Sequence, residues 1–293
     1  MSKVYFTKEI TPESLVKIYD KINAEKPLKG KIGVKISTGE NGGHNYLKPE
    51  LISDLVKQLG GVIVECNTAY GGNRQDTKDH RETIHAHGFD QIATVDIMDE
   101  DGELDIPTRE GAKHLDHDTI GLNAKNYDGL LMLSHFKGHM MGGFGGALKN
   151  MSIGVASHNG KLNIHSAGTS LDQDYVWSHL PAQDDFLESM AEACSAVVDY
   201  YKENILYINV ANNLSVDCDC DASPADPEMK DLGIFASTDP VALDQACYDA
   251  VRNSDDEGKK ALIECMDSRH AIHTVEHAAA LGLGSRDYEI VEL

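Results

Sequence analysis

Basic residues are scarce in this sequence, and their scarcity narrows the functions that it can carry. Lysine and arginine number 26 against 48 acidic residues, which gives a formal charge of −22. A surface of that sign repels the phosphate backbone of DNA and RNA, so we expect no nucleic-acid partner. The chain also has no basic amphipathic segment of the kind that attaches proteins to a membrane surface.

Long apolar runs are missing as well. The longest ones have the length of a strand, whereas a membrane-spanning helix needs roughly 20 apolar residues. The first ten residues, MSKVYFTKEI, lack the apolar stretch of a secretory signal. We therefore expect a cytoplasmic protein without a membrane partner.

Cysteine is sparse and scattered. Of the six cysteines, only Cys218 and Cys220 lie close together in the sequence, and none forms a CxxC repeat. The spacing excludes a ferredoxin-type cluster and a zinc ribbon, so no iron–sulfur cluster is expected. Most of the thiols are expected to be small buried residues in a reducing compartment.

Alternating strand and helix patterns organise the first third of the chain. Apolar runs at 31–36, 62–65 and 92–97 are separated by helical patterns. This alternation requires right-handed crossovers and predicts an α/β fold with a mostly parallel, Rossmann-like sheet or sheets flanked by helices. Without an internal repeat or a low-complexity linker, residues 1–293 are expected to form a single α/β unit, either undivided or with two lobes around a cleft.

Parallel sheets bind ligands beside the carboxyl ends of their strands. This rule brings the loops at 37–44, 67–74, 135–149 and 237–239 to one predicted edge, with 212–221 as a further candidate. These loops hold most of the chemically reactive side chains of the sequence. We therefore expect a cleft at that edge.

The segment from Ser134 to Ser166 contains the densest set of such side chains. It has four histidines, three lysines, and five glycines between Gly138 and Gly146. Glycines cost backbone entropy when they are ordered, so such a loop is typical of a site where main chain closely approaches a ligand. Backbone N–H groups at a helix start near Ala147 would form an anion cradle. A plain glycine-rich surface loop is the alternative interpretation.

Candidate site residues come from this segment and from the loops beside it. His135 and His139 are four residues apart, but the glycines around them argue against a shared helical face. A lysine in a poorly solvated pocket acts as base or nucleophile, and a phosphate contact or a solvated amine is the alternative. The predicted catalytic residues are His139, Lys149 and His135. The predicted cofactor-binding residues are Asn73, Arg74, Gly142, Gly143, Gly145, Gly146 and Lys149.

Metal ligands are expected at two places. His165 follows the glycine-rich loop, and Asp217 and Asp219 alternate with the two neighbouring thiols. In an extended segment the carboxylates would share one face, suited to a hard cation, and the thiols the other, suited to a soft one. A solvated acidic face is the alternative. The predicted metal ligands are His165, Asp217 and Asp219. Six further histidines are expected at the surface: His80, His85, His87, His270, His273 and His277.

Several motifs, in order, resemble the bacterial and archaeal family called domain of unknown function 362. They are HFKGHMMGGFGGALKNMSIG, GKLNIHS, and DCDCD followed by LGIFASTDPVALDQACYD. The resemblance covers most of the chain. Many relatives carry a ferredoxin-like insert with two cysteine quartets, which implies an iron–sulfur role. Between His165 and Ile205 this chain has no such quartets, so that role does not carry over.

A more distant resemblance is to the nickel-dependent lactate racemases. His139, Lys149 and His165 are similar in order and spacing to that family's His, glycine-rich run with lysine, and His. The resemblance implies that the lysine tethers a nickel-pincer nucleotide, the later histidine ligates nickel and the earlier one is an acid/base. The family's G-T-H-R supplies a second acid/base, but Asn73 stands at that histidine's place here. Proton exchange between two bases needs two titratable groups.

Together these features predict a cleft that binds a small anionic molecule or a metal-containing cofactor. The cofactor would be a divalent metal or a nickel-pincer-type nucleotide. As an enzyme, the protein would transfer a proton or hydride, in the manner of a racemase, an epimerase or an oxidoreductase, with a histidine as acid/base and Lys149 or Arg74 holding the anion. The rival hypothesis is a non-catalytic metal-binding or iron–sulfur-related protein. A homo-oligomer is among the expected assemblies.

Overall fold

The chain forms twelve strands and eleven α-helices. The computed structural model describes residues 1–293. The strands are β1 (Ser2–Thr7), β2 (Ile32–Lys35), β3 (Val62–Glu65), β4 (Thr94–Ile97), β5 (Glu103–Pro107), β6 (His117–Gly121), β7 (Gly129–His135), β8 (Lys137–His139), β9 (Gly143–Gly145), β10 (Ile205–Ala211), β11 (Gly233–Ser237) and β12 (Tyr288–Glu292).

The helices connect these strands and cover the sheet. They are α1 (Pro12–Glu25), α2 (Pro49–Gln58), α3 (Thr77–Ala86), α4 (Phe89–Ile92), α5 (Ala147–Ser152), α6 (His158–His165), α7 (Gln173–Ser178), α8 (Gln183–Tyr200), α9 (Pro240–Asn253), α10 (Lys259–Ser268) and α11 (Ile272–Ala280). None of them combines the length and the apolar character that crossing a bilayer requires.

Local sequence signals set the starts of several helices. Thr11 accepts the Ser14 N–H in a capping box, and Pro12 occupies the first turn of α1, as the sequence predicts. Asp239 accepts two N–H groups at the start of α9, where Pro240 follows it. The acidic stretch after β4 forms a hairpin, since β5 pairs with β6 in antiparallel register.

One eight-stranded sheet forms the centre of the molecule, in the order β12-β1-β11-β10-β7-β2-β3-β4. All neighbouring pairs are parallel except the two that involve β11, which runs antiparallel to β1 and β10. Two large hydrophobic clusters, of 40 and 25 buried residues, include alternate side chains of β7 such as Leu130 and Leu131. The predicted α/β class with a mostly parallel sheet is confirmed. The division into two lobes stays a prediction.

The carboxyl ends of β2, β3, β7 and β10 point to one edge of the sheet because these strands are mutually parallel. The loops at 37–44, 67–74 and 212–221 contact one another there, as when the Glu40 N–H donates to the carbonyl of Asp219. The prediction was wrong for 237–239. Strand β11 is antiparallel, so this loop follows its other end.

Candidate functional site

A cavity of about 400 Å³ opens at this edge of the sheet. Its lining includes five basic side chains and a single carboxylate, that of Glu65. Four of the five are buried in the folded chain. The basic residues are Lys35, Arg74, Lys137, Lys149 and Lys161. The cavity lining is therefore positively charged, although the whole chain carries a formal charge of −22.

Two of the basic side chains are neutralised within the protein. Arg74 lies 3.5 Å from a carboxylate oxygen of Glu40 and 3.5 Å from one of Glu65. Lys137 Nζ lies 3.1 Å from Asp219 Oδ2. Burial alone would raise the pKa of Glu65, but Arg74 lowers it well below its usual range. These pairs build the wall of the cavity.

The three other lysines form no ion pair. Lys35 Nζ donates to a backbone carbonyl and to Asn150 Oδ1 at 3.2 Å, and Lys161 Nζ donates to another carbonyl. Lys149 Nζ lies 3.8 Å from Cys218 Sγ. Burial lowers the pKa of Lys35 to about 8, because removing a cation from water disfavours its charged form. No carboxylate lies within 4.0 Å of any of these three ammonium groups.

His165 presents a free ring nitrogen to the cavity. Its Nδ1 lies 2.6 Å from the carbonyl of Lys161, which only accepts, so Nδ1 carries the hydrogen. Burial lowers the pKa of His165 to about 3, and the ring is neutral at pH 7. The ring centroid lies 5.1 Å from those of Trp177 and Phe186. The lone pair therefore resides on Nε2, in a fixed ring orientation.

His139 has the opposite hydrogen arrangement. Its Nδ1 accepts the N–H groups of Gly142 at 2.9 Å and Met141 at 3.2 Å, so the hydrogen of the neutral ring is on Nε2. Burial, and then the charge of Lys149, lowers the pKa of His139. The two histidines thus offer the same cavity an N–H donor and a nitrogen acceptor.

His135 lines the cavity, but its nitrogens serve the fold. Nδ1 lies 2.8 Å from Asp219 Oδ1, and Nε2 lies 2.6 Å from the carbonyl of Asn212. Burial alone would raise the pKa of Asp219, but His135 and Lys137 lower it to about 2. Both nitrogens of the predicted catalytic His135 are therefore occupied by protein acceptors.

The acidic segment is not extended, which corrects the predicted arrangement of its side chains. The Asp221 N–H donates to the carbonyl of Cys218 at 2.9 Å, which closes a turn. The turn brings the Sγ atoms of Cys218 and Cys220 and a ring nitrogen of His139 within 4.8 Å of one another. Neither Asp217 nor Asp219 lines the cavity that contains His165.

The predicted anion cradle at the start of α5 is already filled. The N–H groups of Ala147 and Leu148 donate to the two carboxylate oxygens of Asp244, at 2.8 and 2.9 Å. Asn209 also donates to Asp244 at 2.7 Å. Gly146 is required there because a Cβ would lie 2.5 Å from the same carboxylate. The loop is ordered by the protein's own anion, which the sequence prediction missed.

The residues predicted to bind a cofactor fall into two groups. Those that line the cavity are Arg74, Gly145, Gly146 and Lys149. Those that do not line it are Asn73, Gly142 and Gly143. The Asn73 N–H donates to Glu40, and its side chain faces a neighbouring cavity of about 280 Å³. Gly143 has a φ of +77° and packs against Ala271, where a Cβ would lie only 2.5 Å from that residue's Cβ.

Several lining residues were not predicted, although the sequence carries traces of three of them. Lys35 ends an apolar strand, an unusual position for a lysine. Lys161 precedes His165 by four residues on α6, so the two share a helical face. Glu65 ends an apolar strand in the same way as Lys35, whereas Lys137 carries no such signal.

Two of the six histidines predicted at the surface are buried instead. The Nδ1 of His80 lies 3.0 Å from Asn67 Oδ1, and its Nε2 lies 3.1 Å from Glu65 Oε2. His277 packs against Glu192. Tertiary partners on other strands and helices draw these rings inward. His85 and His270 are exposed, as predicted.

Solved structures share part of this architecture. The lactate racemase apoprotein from Thermoanaerobacterium thermosaccharolyticum is 14% identical, with a TM-score of 0.46 over 86% of this chain and 57% of its own. A structural-genomics protein from Thermotoga maritima is also 14% identical, with a TM-score of 0.46 over 84% of this chain and 60% of its own. This chain thus spans less than two thirds of either protein, and the likeness is too remote to carry an argument.

The sequence itself places the chain more firmly. No curated protein matches it. The profile described as "Domain of unknown function (DUF362)" matches residues 32–249. That match includes β2 through most of α9, and with them every cavity-lining residue described above. The chain belongs to the domain of unknown function 362 family.

Proposed function

We propose that this protein binds a small carboxylate- or phosphate-bearing anion in the basic cavity and transfers a proton beside that group. The observation that carries the proposal is the set of three lysines, Lys35, Lys149 and Lys161, without a carboxylate partner. At an effective dielectric of about 20, two unit charges 4 Å apart attract each other by about 4 kcal/mol. A bound anion would recover that interaction for each lysine it reaches.

Two histidines supply the acid and the base of the proposed proton transfer. His165 Nε2 has a lone pair, and a bound anion beside the ring would raise its pKa from the value of about 3 that burial imposes, so that Nε2 can remove a proton from a carbon next to the anionic group. His139 Nε2–H can deliver a proton. Proton exchange between two groups needs two titratable side chains. Asn73 cannot be one of them, but His139 and His165 together supply both. The reaction class is proton abstraction next to a carboxylate.

Anion binding is tested by thermal shift and calorimetry with pyrophosphate, AMP and L-lactate as probes. We expect at least one probe to raise the Tm of the wild-type protein and to lose most of that effect in Lys161→Met. Lys78→Met is the matched control, since the Lys78 side chain is 82% exposed, whereas that of Lys161 is buried. If both variants lost the rise in Tm caused by the probe, or if neither did, the result would contradict the proposed site.

Proton transfer is tested by incubating the protein with L-lactate in D₂O and following the C2 hydrogen by NMR. We expect loss of that signal with the wild-type protein, and strongly reduced loss in His165→Asn and in His139→Asn. His85→Asn is the control, because His85 is exposed and lies on α3. Binding of lactate without exchange would restrict the function to anion binding.

A metal-containing cofactor is the second candidate, and one observation favours it. Metal-ligating histidines usually donate their other ring N–H to a carbonyl or carboxylate, as His165 does. The nickel-pincer nucleotide implied by the resemblance thus fits, with His165 holding the metal and Lys149 the nucleotide. When bound, it would supply an electron-accepting centre beside the substrate.

Metal analysis and an ultraviolet–visible scan of protein purified without chelators separate the candidates. A chromophore or a nucleotide that is lost in Lys149→Ala would support the cofactor-dependent enzyme. A colourless, stoichiometric divalent ion would support the non-catalytic metal binder. Protein that is free of both but shifts its Tm with an anion would support the simple anion site.

A further inference from the structure

The thiols of this protein differ in the partners that surround them. Cys66 donates to the carbonyl of Val155 at 3.3 Å, and Cys194 donates to that of Leu148 at 3.1 Å. Cys265 lies 3.4 Å from the carbonyl of Gly143. A carbonyl only accepts, so each of these thiols keeps its hydrogen. They are structural thiols.

Cys218 is surrounded by donors instead. Its Sγ receives the N–H of Cys220 at 3.4 Å and lies 3.8 Å from Lys149 Nζ. The His139 ring, whose Nε2 carries hydrogen, is within 4.8 Å. The backbone N–H of Cys220, the ammonium of Lys149 and the ring N–H of His139 thus all approach this sulfur with positive charge or partial positive charge. Geometry and charge both stabilise a thiolate at this position.

The same surroundings disfavour a metal ion between Cys218, Cys220 and His139. A divalent cation there would meet the ammonium of Lys149 beside the sulfur. It would also need the lone pair of a His139 nitrogen, but Nδ1 already accepts two N–H groups and Nε2 carries hydrogen. The donors fit a sulfur anion better than a cation.

The two thiols also lie where two cavities meet. Cys218 and Cys220 line both the basic cavity and the neighbouring one of about 280 Å³, together with Tyr70 and Met140. A disulfide molecule has one arm on each sulfur, and its C–S–S–C dihedral angle of roughly 90° sends the two arms in different directions. A substrate of that shape can place one arm in each cavity, with its sulfurs against Cys218.

We propose that Cys218 and Cys220 form a redox-active dithiol that reduces a small disulfide whose arms carry carboxylate or phosphate groups. This activity goes beyond anion binding and proton transfer. Only the charge of the preferred disulfide rests on the proposed function, because the basic cavity selects it.

The exchange balances in two steps. The Cys218 thiolate attacks one sulfur of the substrate, the substrate S–S bond breaks, and the first arm leaves as a thiolate that takes a proton from the Lys149 ammonium. Cys220 then passes its proton to the Lys149 amine and attacks Cys218 Sγ, and the second arm leaves as a thiolate that takes this proton. The protein dithiol is oxidised by two electrons, and the substrate disulfide is reduced to two thiols.

The state of Cys220 suits the second role. Its Sγ lies within 4.8 Å of the Cys218 sulfur, so a negative charge on Cys218 disfavours a second one on Cys220 and keeps the Cys220 thiol protonated. Once Cys218 is bonded to the substrate, that negative charge is gone and the Cys220 thiol ionises more readily. The order of attack is therefore built into the pair.

The proposal is tested by treating the reduced protein with glutathione disulfide and mapping its cysteines by mass spectrometry. We expect the wild-type chain to lose two hydrogens at a Cys218–Cys220 disulfide, reversibly. Cys220→Ser should stop at a glutathione adduct on Cys218, and Cys218→Ser should not react. Cys265→Ser is the matched control and should react as the wild type does, since this half-buried thiol faces carbonyls.

Three results would overturn the dithiol: modification of Cys265 or another cysteine first, no adduct on Cys218 in the folded Cys220→Ser variant, or a stoichiometric metal that both thiols are needed to retain. A second probe distinguishes failure of the dithiol proposal from failure of the proposed anion site. Glutathione disulfide should react about tenfold faster than uncharged bis(2-hydroxyethyl) disulfide, because a basic cavity raises the local concentration of anions. Equal rates would remove the charge preference and count against the proposed anion site, while the dithiol would stand.

Discussion

The basic cavity and a second group of titratable side chains handle charge in opposite ways. We call that group the α8 cluster, and it consists of Lys113, His114, Glu188, Glu192, His273 and His277. It contains the triad His114, Glu188 and Glu192, whose ligand atoms are close enough to hold a metal ion. By residue type alone, it resembles a site as much as the cavity does.

The partners of Glu192 show the difference. Its Oε1 accepts the N–H of Lys113 at 2.7 Å, and its Oε2 accepts those of His114 at 3.0 Å and Leu115 at 2.9 Å. His277 Nε2 lies 3.3 Å from Oε1. Both Glu192 oxygens that a metal would need are thus engaged in holding the loop at 113–115 and helix α11 to α8. Paired charges of this kind stabilise the fold, whereas the unpaired lysines of the cavity cost stability and leave binding energy for a ligand.

The largest expected effect is on stability, in the α8 cluster. Glu192→Ala should lower the free energy of unfolding by about 3–5 kcal/mol, because it leaves backbone donors and His277 without their buried acceptor. Urea unfolding measures the change. Glu192→Gln retains one acceptor oxygen and should lose about half as much. Binding of the anionic probe should be unchanged, and a loss below about 1 kcal/mol in Glu192→Ala would contradict the comparison.

The next effect has the opposite sign and lies in the cavity. Lys35→Met should raise the free energy of unfolding by about 1–3 kcal/mol, since it removes a buried cation without a carboxylate partner. It should also weaken binding of the anionic probe about tenfold. Urea unfolding and calorimetry on the same variant measure both. Destabilisation by Lys35→Met, with binding intact, would show that the cavity is a structural charge network like the α8 cluster.

The pH dependence gives Lys35→Met an independent control. The pKa of Lys35 falls from 10.5 to about 8 on folding. Between pH 8 and 10.5 the unfolded chain binds a proton that the folded chain does not, so the free energy of unfolding rises with pH in that window. The rise should be smaller in Lys35→Met, which lacks this contribution. Anion affinity of the wild type should fall as the pH passes 8, because Lys35 loses its charge.

The sequence predicts the fold well because periodicity and capping are local. The starts of α1 and α9 depend on Thr11 and Asp239, which contact their own helices. Strand β11 shows the limit, since an isolated apolar run does not reveal its direction. The loop at 237–239 was assigned to the wrong edge for that reason.

The site is only partly predictable, because burial and distant partners decide it. Lys149 and His165, which line the cavity, were predicted as site residues from the glycine-rich segment around them. Lys161 was missed because its role depends on being buried beside the cavity, which packing sets. Asp244, which fills the predicted cradle, comes from α9, almost 100 residues later in the chain. No local pattern connects it to the glycines that it orders.

The smallest effects on stability are expected for substitutions of two lysines, one in the α8 cluster and one in the basic cavity. This pair of variants compares the two regions most directly. Lys113 ion-pairs with Glu188 at 2.6 Å but its side chain is 57% exposed, so Lys113→Ala should cost at most about 1 kcal/mol. Lys149 is half-buried and has no carboxylate partner, and Lys149→Ala should likewise leave the Tm nearly unchanged. The variants should differ in function alone. Lys149→Ala should lose the anion or cofactor that the wild type retains, and Lys113→Ala should keep it. Unfolding of Lys149→Ala would instead make this lysine part of the structure, and the cavity would then resemble the α8 cluster.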